Sequence, residues 1–257
     1  MSEAGDRSSA SRRVVVVAGA AHGIGLGAAQ AFARQGDAVV LADVDLPGVE
    51  QAAAALRSEG CTAQHAGVDL TSASGCETAV RAAIESFGRL DVLVHCVGGF
   101  RQAKTIAEIG DDEWERGMLL NLTSAFKMAR AAAPHLADSG SGRIVFVSSE
   151  AGRMPVGVTT AYYAAAKAGV IGLARHLALE LGPANVTVNV VAPGTTLTER
   201  VAALWDSERQ AKIIERTPLG RLAQLEDQVG PILFLASPAA QYMTGTTLDV
   251  NGGRLML

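Results

Sequence analysis

The sequence predicts an α/β fold built on one doubly wound parallel sheet with helices on both faces. Short apolar runs, such as the four valines at residues 14–17, alternate with longer helical stretches along the chain. A glycine-rich turn joins the first run to the first helix, and no repeat or low-complexity linker divides the 257 residues. We therefore expect a single domain over residues 13–257, preceded by a flexible polar arm at residues 1–12.

The predicted strands are short runs that right-handed crossovers would bring into one sheet. The continuous β-branched run at the start is typical of a strand buried on both faces. We expect strands over residues 14–17, 38–42, 62–67, 91–94, 143–147, 186–190 and 247–249. Pro47 suits the first turn of a helix, and Thr71 suits an N-cap. We expect helices over residues 24–34, 47–57, 71–87, 111–137, 160–181 and 225–235.

Composition excludes several classes of function. Hydrophobic residues make up 49% of the chain and charged residues 19%, which argues for a large core. The net charge is only -4 with no basic cluster, so nucleic acid is not an expected partner. No apolar stretch reaches the length of about 18 residues that a membrane span needs, and the N-terminus lacks a secretory signal pattern. Cys61, Cys76 and Cys96 fit neither a metal site nor a disulfide framework, so we expect reduced thiols in a cytoplasmic protein.

A candidate phosphate-binding turn lies at residues 19–25, directly between a predicted strand and a predicted helix. Glycines in that context allow a tight turn and a close approach of the backbone to a pyrophosphate at the helix N-terminus. This is the arrangement of a Rossmann-type dinucleotide site. The alternative is a tight turn that merely needs glycine.

Asp43 ends the second predicted strand, 18 residues beyond Gly25. A carboxylate there accepts hydrogen bonds from the adenosine ribose and repels a 2′-phosphate. No Arg or Lys adjoins it, and His22 supplies no fixed positive charge, so NAD is favoured over NADP. Asp45 is a rival for this role, but it lies past the strand and is expected to be a solvated surface charge.

Tyr163 and Lys167 are four residues apart on a predicted helix and therefore share one face. A free tyrosine has a pKa of about 10, and a nearby ammonium favours its phenolate form. This pair predicts a tyrosine that exchanges a proton with an alcohol or a ketone. Tyr162 is the neighbouring alternative, but it has no lysine four residues later. No metal is expected in such a reaction.

The sequence resembles the short-chain dehydrogenase/reductase family, in its single-domain branch. The resemblance rests on the glycine loop, the Tyr163–Lys167 pair and several later motifs in the same order, and it extends from Arg13 to about Gly253. The family's T-G-x-x-x-G-I-G loop is A-G-A-A-H-G-I-G here, and its P-G-x-x-x-T motif is P-G-T-T-L-T. The resemblance implies a set of cofactor-binding residues: Gly19, His22, Gly23, Ile24, Gly25, Asp43, Asp69, Leu70, Gly98, Tyr163, Lys167, Pro193, Gly194, Thr196 and Thr198.

The resemblance also implies the remaining catalytic residues. Ser149 would hold the substrate oxygen, and Asn121 would order a water that links Lys167 to solvent. Ser149 lies 14 residues before Tyr163, one more than is common in the family, so a one-residue insertion is needed. Ser148 would worsen that mismatch and is interpreted as a strand-end residue bonded to backbone. Asn121 could instead be a polar helix residue that bonds nearby backbone.

Two places depart from the family pattern. The N-N-A-G that follows the fourth strand is H-C-V-G at residues 95–98, and the first Thr of the cofactor loop is Ala18. In the family these places brace one another, so an apolar contact is expected to replace a hydrogen bond. His95 invites a catalytic role, but a single histidine at a strand end more often is a packed residue.

Residues 195–222 interrupt the alternation and resemble the insertion that covers the substrate in this family. The insertion carries an amphipathic piece: Val201, Leu204, Trp205, Ile213 and Ile214. An apolar pocket is expected from Phe100, Met154, Val156 and Trp205. Arg101 and Arg153 follow strands near the same rim, where one could attract a carboxylate or an acyl-carrier phosphate, although such arginines are more often solvated.

The favoured function is therefore an NAD(H)-dependent interconversion of a secondary alcohol and a ketone. One alternative is an NADPH-dependent 3-oxoacyl or polyketide-type ketoreductase. A non-catalytic dinucleotide-binding protein is a third hypothesis, for which the altered residues 95–97 give some support. The resemblance also implies a homotetramer that pairs the two long helices at residues 111–137 and 160–181.

Overall fold

The computed structural model describes residues 12–157, 159–204 and 206–256. Within these residues one sheet contains seven strands: β1 (Val14–Ala18), β2 (Ala38–Asp43), β3 (Ala63–Gly67), β4 (Val92–His95), β5 (Arg143–Val147), β6 (Thr187–Pro193) and β7 (Thr247–Val250). Their order is β3-β2-β1-β4-β5-β6-β7, and all neighbours are parallel. The predicted doubly wound parallel sheet is confirmed. The order reverses between β1 and β4, which opens a crevice at the carboxyl ends of these strands.

Helices cover both faces of the sheet. The described residues contain α1 (Gly23–Arg34), α2 (Leu46–Ser58), α3 (Ala73–Phe87), α4 (Asp111–Met118), α5 (Ser124–Asp138), α6 (Ala161–Leu181), α7 (Glu199–Leu204), α8 (Ser207–Glu215) and α9 (Leu225–Leu235). Helices α3, α5 and α6 pack on one face, and α1, α2 and α9 pack on the other. Successive residues of β1 enter the two cores alternately, which explains its unbroken run of valines. Each valine side chain buried in this way contributes roughly 1.5–3 kcal/mol.

The long helix expected at residues 111–137 is interrupted in the structure. Helices α4 and α5 are joined by a single π-helical turn at Leu119–Thr123, which contains the fully buried Asn121. Such turns are often found at functional sites. The interruption therefore places Asn121 on a local distortion rather than on a regular helix.

The cap predicted for α3 is wrong by one residue. Ser72, not Thr71, caps the helix, because its Oγ accepts a hydrogen bond from the Gly75 backbone N–H at 3.0 Å. The Thr71 hydroxyl is already engaged as a donor to Asp69 at 2.7 Å. The neighbouring carboxylate therefore decides which hydroxyl forms the cap.

The segment at residues 195–222 contains α7 and α8 and follows the end of β6. It is joined to the following segment by an isolated bridge between Thr196 and Ala223. Residues 1–11 of the predicted N-terminal arm lie outside the described residues, as does Trp205. Among the described residues, no helix combines the length and the apolar composition that crossing a bilayer requires.

Candidate active site

A cavity of about 840 Å³ opens at the carboxyl ends of the strands. With the exception of Asn121, every residue predicted for catalysis or cofactor binding lines it. The strands and the helix α6 thus bring together positions that lie as far apart in sequence as Gly19 and Thr198. Its lining also includes Val44, Leu120, Glu199 and Arg209, which the sequence analysis did not name. Leu120 precedes Asn121 on the π turn, whereas α8 carries no motif that would have marked Arg209.

The turn of the glycine loop leaves no space for a side chain at Gly19 or at Gly25. Gly19 has a φ of +84°, and a methyl group on it would lie 2.9 Å from the Val97 backbone nitrogen. A methyl group on Gly25 would lie 1.9 Å from the Gly19 carbonyl oxygen. Helix α1 begins at Gly23 with no acidic residue in its first turn, so its N–H groups face the cavity without competition. This surface fits a pyrophosphate.

Asp43 is fixed at the end of β2 by two backbone donors. Its carboxylate accepts hydrogen bonds from the N–H groups of Ala21 and Asp45, each at 3.1 Å. Asp45 is a surface carboxylate, as expected, with a side chain that is 39% exposed, but it also has hydrogen-bond partners. It caps α2 by accepting a hydrogen bond from Gly48 N, and its second oxygen lies 2.9 Å from His22 Nε2. This end of the cavity is therefore lined by the Asp43 carboxylate and the exposed His22 imidazole, and Asp45 is bonded to that imidazole.

Asp69 and Leu70 follow β3 and line the same end of the cavity. The hydroxyl and then the N–H of Thr71 donate to the Asp69 carboxylate, and these bonds hold the pKa of Asp69 below its usual range. Lys127 donates to the Thr71 carbonyl at 2.5 Å, which attaches this turn to α5. The turn is thus held in place by bonds that leave Leu70 buried against the cavity.

Tyr163 and Lys167 lie on the same face of α6, as their spacing predicts. The Lys167 Nζ is 5.8 Å from the centre of the Tyr163 ring, and both residues line the cavity. The Phe100 ring packs on Tyr163 with 4.9 Å between centroids. Tyr162 faces the other way: it is 5% exposed and packs on α4 at Gly117. The neighbouring tyrosine is therefore a core residue.

Lys167 is buried and its charge is poorly solvated. The residue is 3% exposed, and its Nζ donates to the Val147 carbonyl at 2.9 Å. Burial lowers the pKa of Lys167 to about 8, and the Cys96 thiol opposes this change. At neutral pH the ammonium form still predominates at this position.

The two serines at the end of β5 differ in the way the sequence predicted. Ser148 is 3% exposed, and its hydroxyl donates to the Lys167 carbonyl at 2.7 Å. Ser149 lines the cavity, and its Oγ accepts a hydrogen bond from the Ala151 N–H at 3.2 Å. Because this bond uses only a lone pair, the Ser149 hydroxyl hydrogen remains able to donate.

Asn121 holds the loop that follows β4. Its Oδ1 accepts from Gly99 N at 2.7 Å, and its Nδ2 donates to the carbonyls of Gly99 and Gly117 at 3.0 and 2.9 Å. A methyl group on Gly98 would lie 2.6 Å from Asn121 Oδ1 and 2.8 Å from Lys167 Nζ. The side chain therefore bonds backbone beside Lys167. That Asn121 also orders a water there stays a prediction.

The two departures from the family pattern are adjacent in the sheet. Ala18 of β1 is the partner of His95 in β4, and the Cys96 N–H donates to the Ala18 carbonyl at 2.8 Å. His95 is 1% exposed and packs edge-on against Phe146 with 6.1 Å between ring centroids. It lies beneath the cavity rather than in its lining, as a packed residue would.

The expected apolar rim is only partly present. Phe100 and Arg101 line the cavity, whereas Met154 and Val156 are absent from its lining. Arg153 is neither solvated nor available to a substrate anion. Its guanidinium forms two hydrogen bonds to the Asp249 carboxylate, at 3.0 and 2.7 Å.

Comparisons with known proteins agree with this geometry. A family model described as enoyl-(acyl carrier protein) reductase matches residues 19–254. The chain is 36% identical over 247 residues to the short-chain reductase protein NovJ of Streptomyces niveus, which covers 94% of this chain and 93% of that protein. The chain belongs to the short-chain dehydrogenase/reductase family.

Other relatives indicate the kind of chemistry. The chain is 36% identical over 245 residues to the 3-oxoacyl-[acyl-carrier-protein] reductase FabG of Vibrio cholerae, with 95% of this chain and 98% of that protein covered. A solved structure of 7α-hydroxysteroid dehydrogenase complexed with NADH and 7-oxo glycochenodeoxycholic acid superposes with a TM-score of 0.89 at 31% identity, covering 94% of this chain and 93% of that one. As a member of this family, the chain is an NAD(P)-dependent oxidoreductase that acts on CH–OH groups.

Proposed function

We propose that this enzyme interconverts a secondary alcohol and a ketone with NAD(H), and that Tyr163 is its general acid and base. One observation carries the proposal: Tyr163 and Lys167 share a face of α6 inside the cavity whose other end is the glycine loop. A protein that only bound a dinucleotide would not need a phenol next to a buried ammonium at that place.

The residues of this chain divide the work between them. Tyr163 takes the alcohol proton in oxidation and returns it in reduction. The Lys167 ammonium favours the phenolate form of Tyr163. Ser149 donates its hydroxyl hydrogen to the substrate oxygen and offsets the charge that develops there. Asn121 holds Gly99 in place and is proposed to order a water beside Lys167. A nicotinamide bound in the cavity would supply or accept the hydride.

The cavity fits a dinucleotide because three of its features match the parts of one. The side-chain-free surface at Gly19 and Gly25, with the N-terminus of α1, suits the pyrophosphate. Asp69 and Leu70 lie where the adenine is expected. At the opposite end, we propose that the turn after β6 holds the nicotinamide, through Pro193, Gly194, Thr196 and Thr198.

NAD is the proposed cofactor because the rim that would meet a 2′-phosphate is acidic. Asp43 is held at the end of β2 by two backbone N–H groups, so it cannot easily turn away. Asp45 adds a second carboxylate nearby, and its hydrogen bond with His22 engages the imidazole of that residue. A 2′-phosphate would meet repulsion at this rim.

The test of the catalytic assignment is Tyr163→Phe. NADH oxidation is followed with cyclohexanone, ethyl acetoacetate and acetoacetyl-coenzyme A as model ketones, and NADH binding by quenching of protein fluorescence. The variant should lose turnover with every ketone that the wild type reduces, by about 10²- to 10⁴-fold, and should bind NADH within about threefold. Tyr162→Phe is the matched control and should keep its turnover. Normal turnover in Tyr163→Phe would remove the catalytic assignment.

An NADPH-dependent 3-oxoacyl reductase is the second candidate, because of the similarity to FabG over nearly the whole chain. Comparing kcat/KM for NADH and NADPH with acetoacetyl-coenzyme A and with cyclohexanone separates the two. A clear preference for NADPH and the thioester would favour this second candidate over the first.

Three further properties belong to the proposal. The chain forms one domain in which the segment at residues 195–222, with α7 and α8, covers the substrate and excludes water. A homotetramer would bury the exposed faces of α5 and α6. A cytoplasmic location suits Cys61, Cys76 and Cys96, which are all free thiols.

A further inference from the structure

Two ion pairs attach the loop that follows Ser149 to β7 and the residues after it. The loop supplies the carboxylate in one pair and the guanidinium in the other. Glu150 accepts a hydrogen bond from Arg254 at 2.7 Å, and Arg153 binds Asp249 through both carboxylate oxygens. The side chains of all four residues are at most 18% exposed. Glu150 begins a short 3₁₀ turn, Glu150–Gly152, which Ser149 precedes as N-cap and Arg153 follows as C-cap. One ion pair therefore holds the residue next to Ser149, and the other holds the far end of the turn.

Glu150 is a deeply buried carboxylate. It is 4% exposed, and burial raises the pKa of Glu150 although the Arg254 guanidinium opposes the change. Its Oε2 has no hydrogen-bond partner among the described residues, and it lies 3.4 Å from a methyl group built on Gly194. A buried charge of this kind is expensive to keep and is a weak source of stability. Because stability does not explain this buried carboxylate, its position against Gly194 suggests that it has a role in the turn that contains Gly194.

The turn after β6 is attached to the same place. The Gly194 N–H donates to the Val250 carbonyl at 2.9 Å, and Arg254 Nη1 reaches the Thr195 hydroxyl at 3.4 Å while it binds Glu150. Gly194 and Thr196 line the cavity on either side of Thr195. One guanidinium group thus contacts both the residue next to Ser149 and the turn that is proposed to hold the nicotinamide.

We propose that Glu150 and Arg254 are positioning residues that fix Ser149 relative to the turn at residues 193–196. Their ion pair sets the distance between the hydroxyl that holds the substrate oxygen and the turn that orients the cofactor ring. This inference rests on the proposed function, because it assigns a consequence to the roles of Ser149 and of that turn. Hydride transfer requires that the substrate carbon and the nicotinamide carbon lie close together in the correct orientation. A misplacement of about 1 Å can lower the rate by about 10²-fold.

The test uses the double variant Glu150→Gln/Arg254→Met, which removes both charges together and so leaves neither one buried without its partner. The matched control is Arg153→Met/Asp249→Asn, which removes the other ion pair from the same loop. The first readout needs no cofactor: hydrogen–deuterium exchange of backbone amides, resolved for residues 149–153 and 193–198. The second readout is kcat with whichever of the three model ketones the wild type reduces, together with the isotope effect of C4-deuterated NADH.

The Glu150/Arg254 double variant should exchange faster in both segments, lose about 10- to 100-fold in kcat and show a larger isotope effect, with the Kd for NADH changed less than threefold. The control should exchange faster at residues 149–153 alone and keep kcat within about fivefold. The proposal is overturned if exchange at residues 193–198 and kcat stay at wild-type values in the first variant. It is also overturned if the two variants lose kcat equally, since the effect would then be general loosening of the loop.

These results are distinguishable from a failure of the proposed function. If Tyr163→Phe retains turnover, the catalytic assignment fails, whatever happens to the exchange rates. If Tyr163→Phe is inactive while the Glu150/Arg254 double variant behaves like the wild type, only the positioning role is lost.

Discussion

Replacing Lys167 with methionine should raise stability at neutral pH while it removes the activity. Burial lowers the pKa of Lys167 to about 8 from its ordinary value of 10.5, because the folded protein solvates the ammonium poorly. This difference corresponds to a cost of about 3 kcal/mol wherever the lysine is charged in both states. Methionine removes that cost. It also leaves the Val147 carbonyl without its donor, which costs about 1–3 kcal/mol.

The effect of this substitution on the free energy of unfolding depends on pH. Below pH 8 the lysine is protonated in both states, and the full cost is present. Between pH 8 and 10.5 the unfolded chain binds more protons at this site than the folded chain, so the free energy of unfolding of the wild type rises with pH. Relative to Lys167→Met, the wild type should gain about 2 kcal/mol between pH 7 and pH 9.5. The variant is therefore more stable, by about 1 kcal/mol, at pH 7 and less stable at pH 9.5.

Urea unfolding followed by tryptophan fluorescence, at fixed protein concentration and without cofactor, measures this difference. Lys212→Met is the control, because the Lys212 side chain is 69% exposed on α8 and has little solvation to lose. Its difference from the wild type should stay the same at both pH values. The reasoning about Lys167 is refuted if the difference between Lys167→Met and the wild type does not change with pH, or if it changes in the opposite direction.

Two other substitutions test the cofactor end of the cavity. Asp43→Asn should raise kcat/KM for NADPH relative to NADH by about tenfold or more, since it removes a fixed charge from the rim; an unchanged ratio in steady-state assays would contradict the role of Asp43. Gly25→Ala places a methyl group 1.9 Å from the Gly19 carbonyl oxygen and should abolish NADH binding in a fluorescence titration. Gly172→Ala, whose methyl group meets no atom within 4 Å, should bind NADH normally, and equal binding by both variants would show that the loop tolerates a side chain.

The parts of this molecule that sequence could predict depend on local patterns. An unbroken run of valines predicted β1, because a strand that faces two cores needs apolar residues at every position. The spacing of four between Tyr163 and Lys167 predicted a shared helix face, and the structure places both in one cavity. The choice between Tyr162 and Tyr163 followed from the same spacing. Such patterns span only a few residues, so they can be recognised without knowing which distant residues they contact in the fold.

The parts that sequence missed depend on partners that lie far away along the chain. Arg153 was expected to be solvated, yet it binds Asp249, which lies 96 residues later. Glu150 meets Arg254 across 104 residues, and neither was singled out. No local pattern indicates such pairs, because only the folded sheet brings the loop after β5 past the end of β6 into contact with β7 and the residues that follow it. The cap of α3 was missed for a smaller reason, a competition between two adjacent hydroxyls.

The altered residues at 95–97 add no charge to the site at neutral pH. Burial, together with the Lys167 ammonium, lowers the pKa of His95 to about 3, and burial raises the pKa of Cys96 to about 12. Both groups are therefore uncharged at neutral pH, as the asparagines of the family pattern would be. The loop is held through backbone, by the bond from Cys96 N to the Ala18 carbonyl and by Asn121 on Gly99. Neither attachment uses the altered side chains, and the altered side chains next to the Tyr163–Lys167 pair are uncharged. The altered residues therefore give no structural support to the hypothesis of a non-catalytic protein.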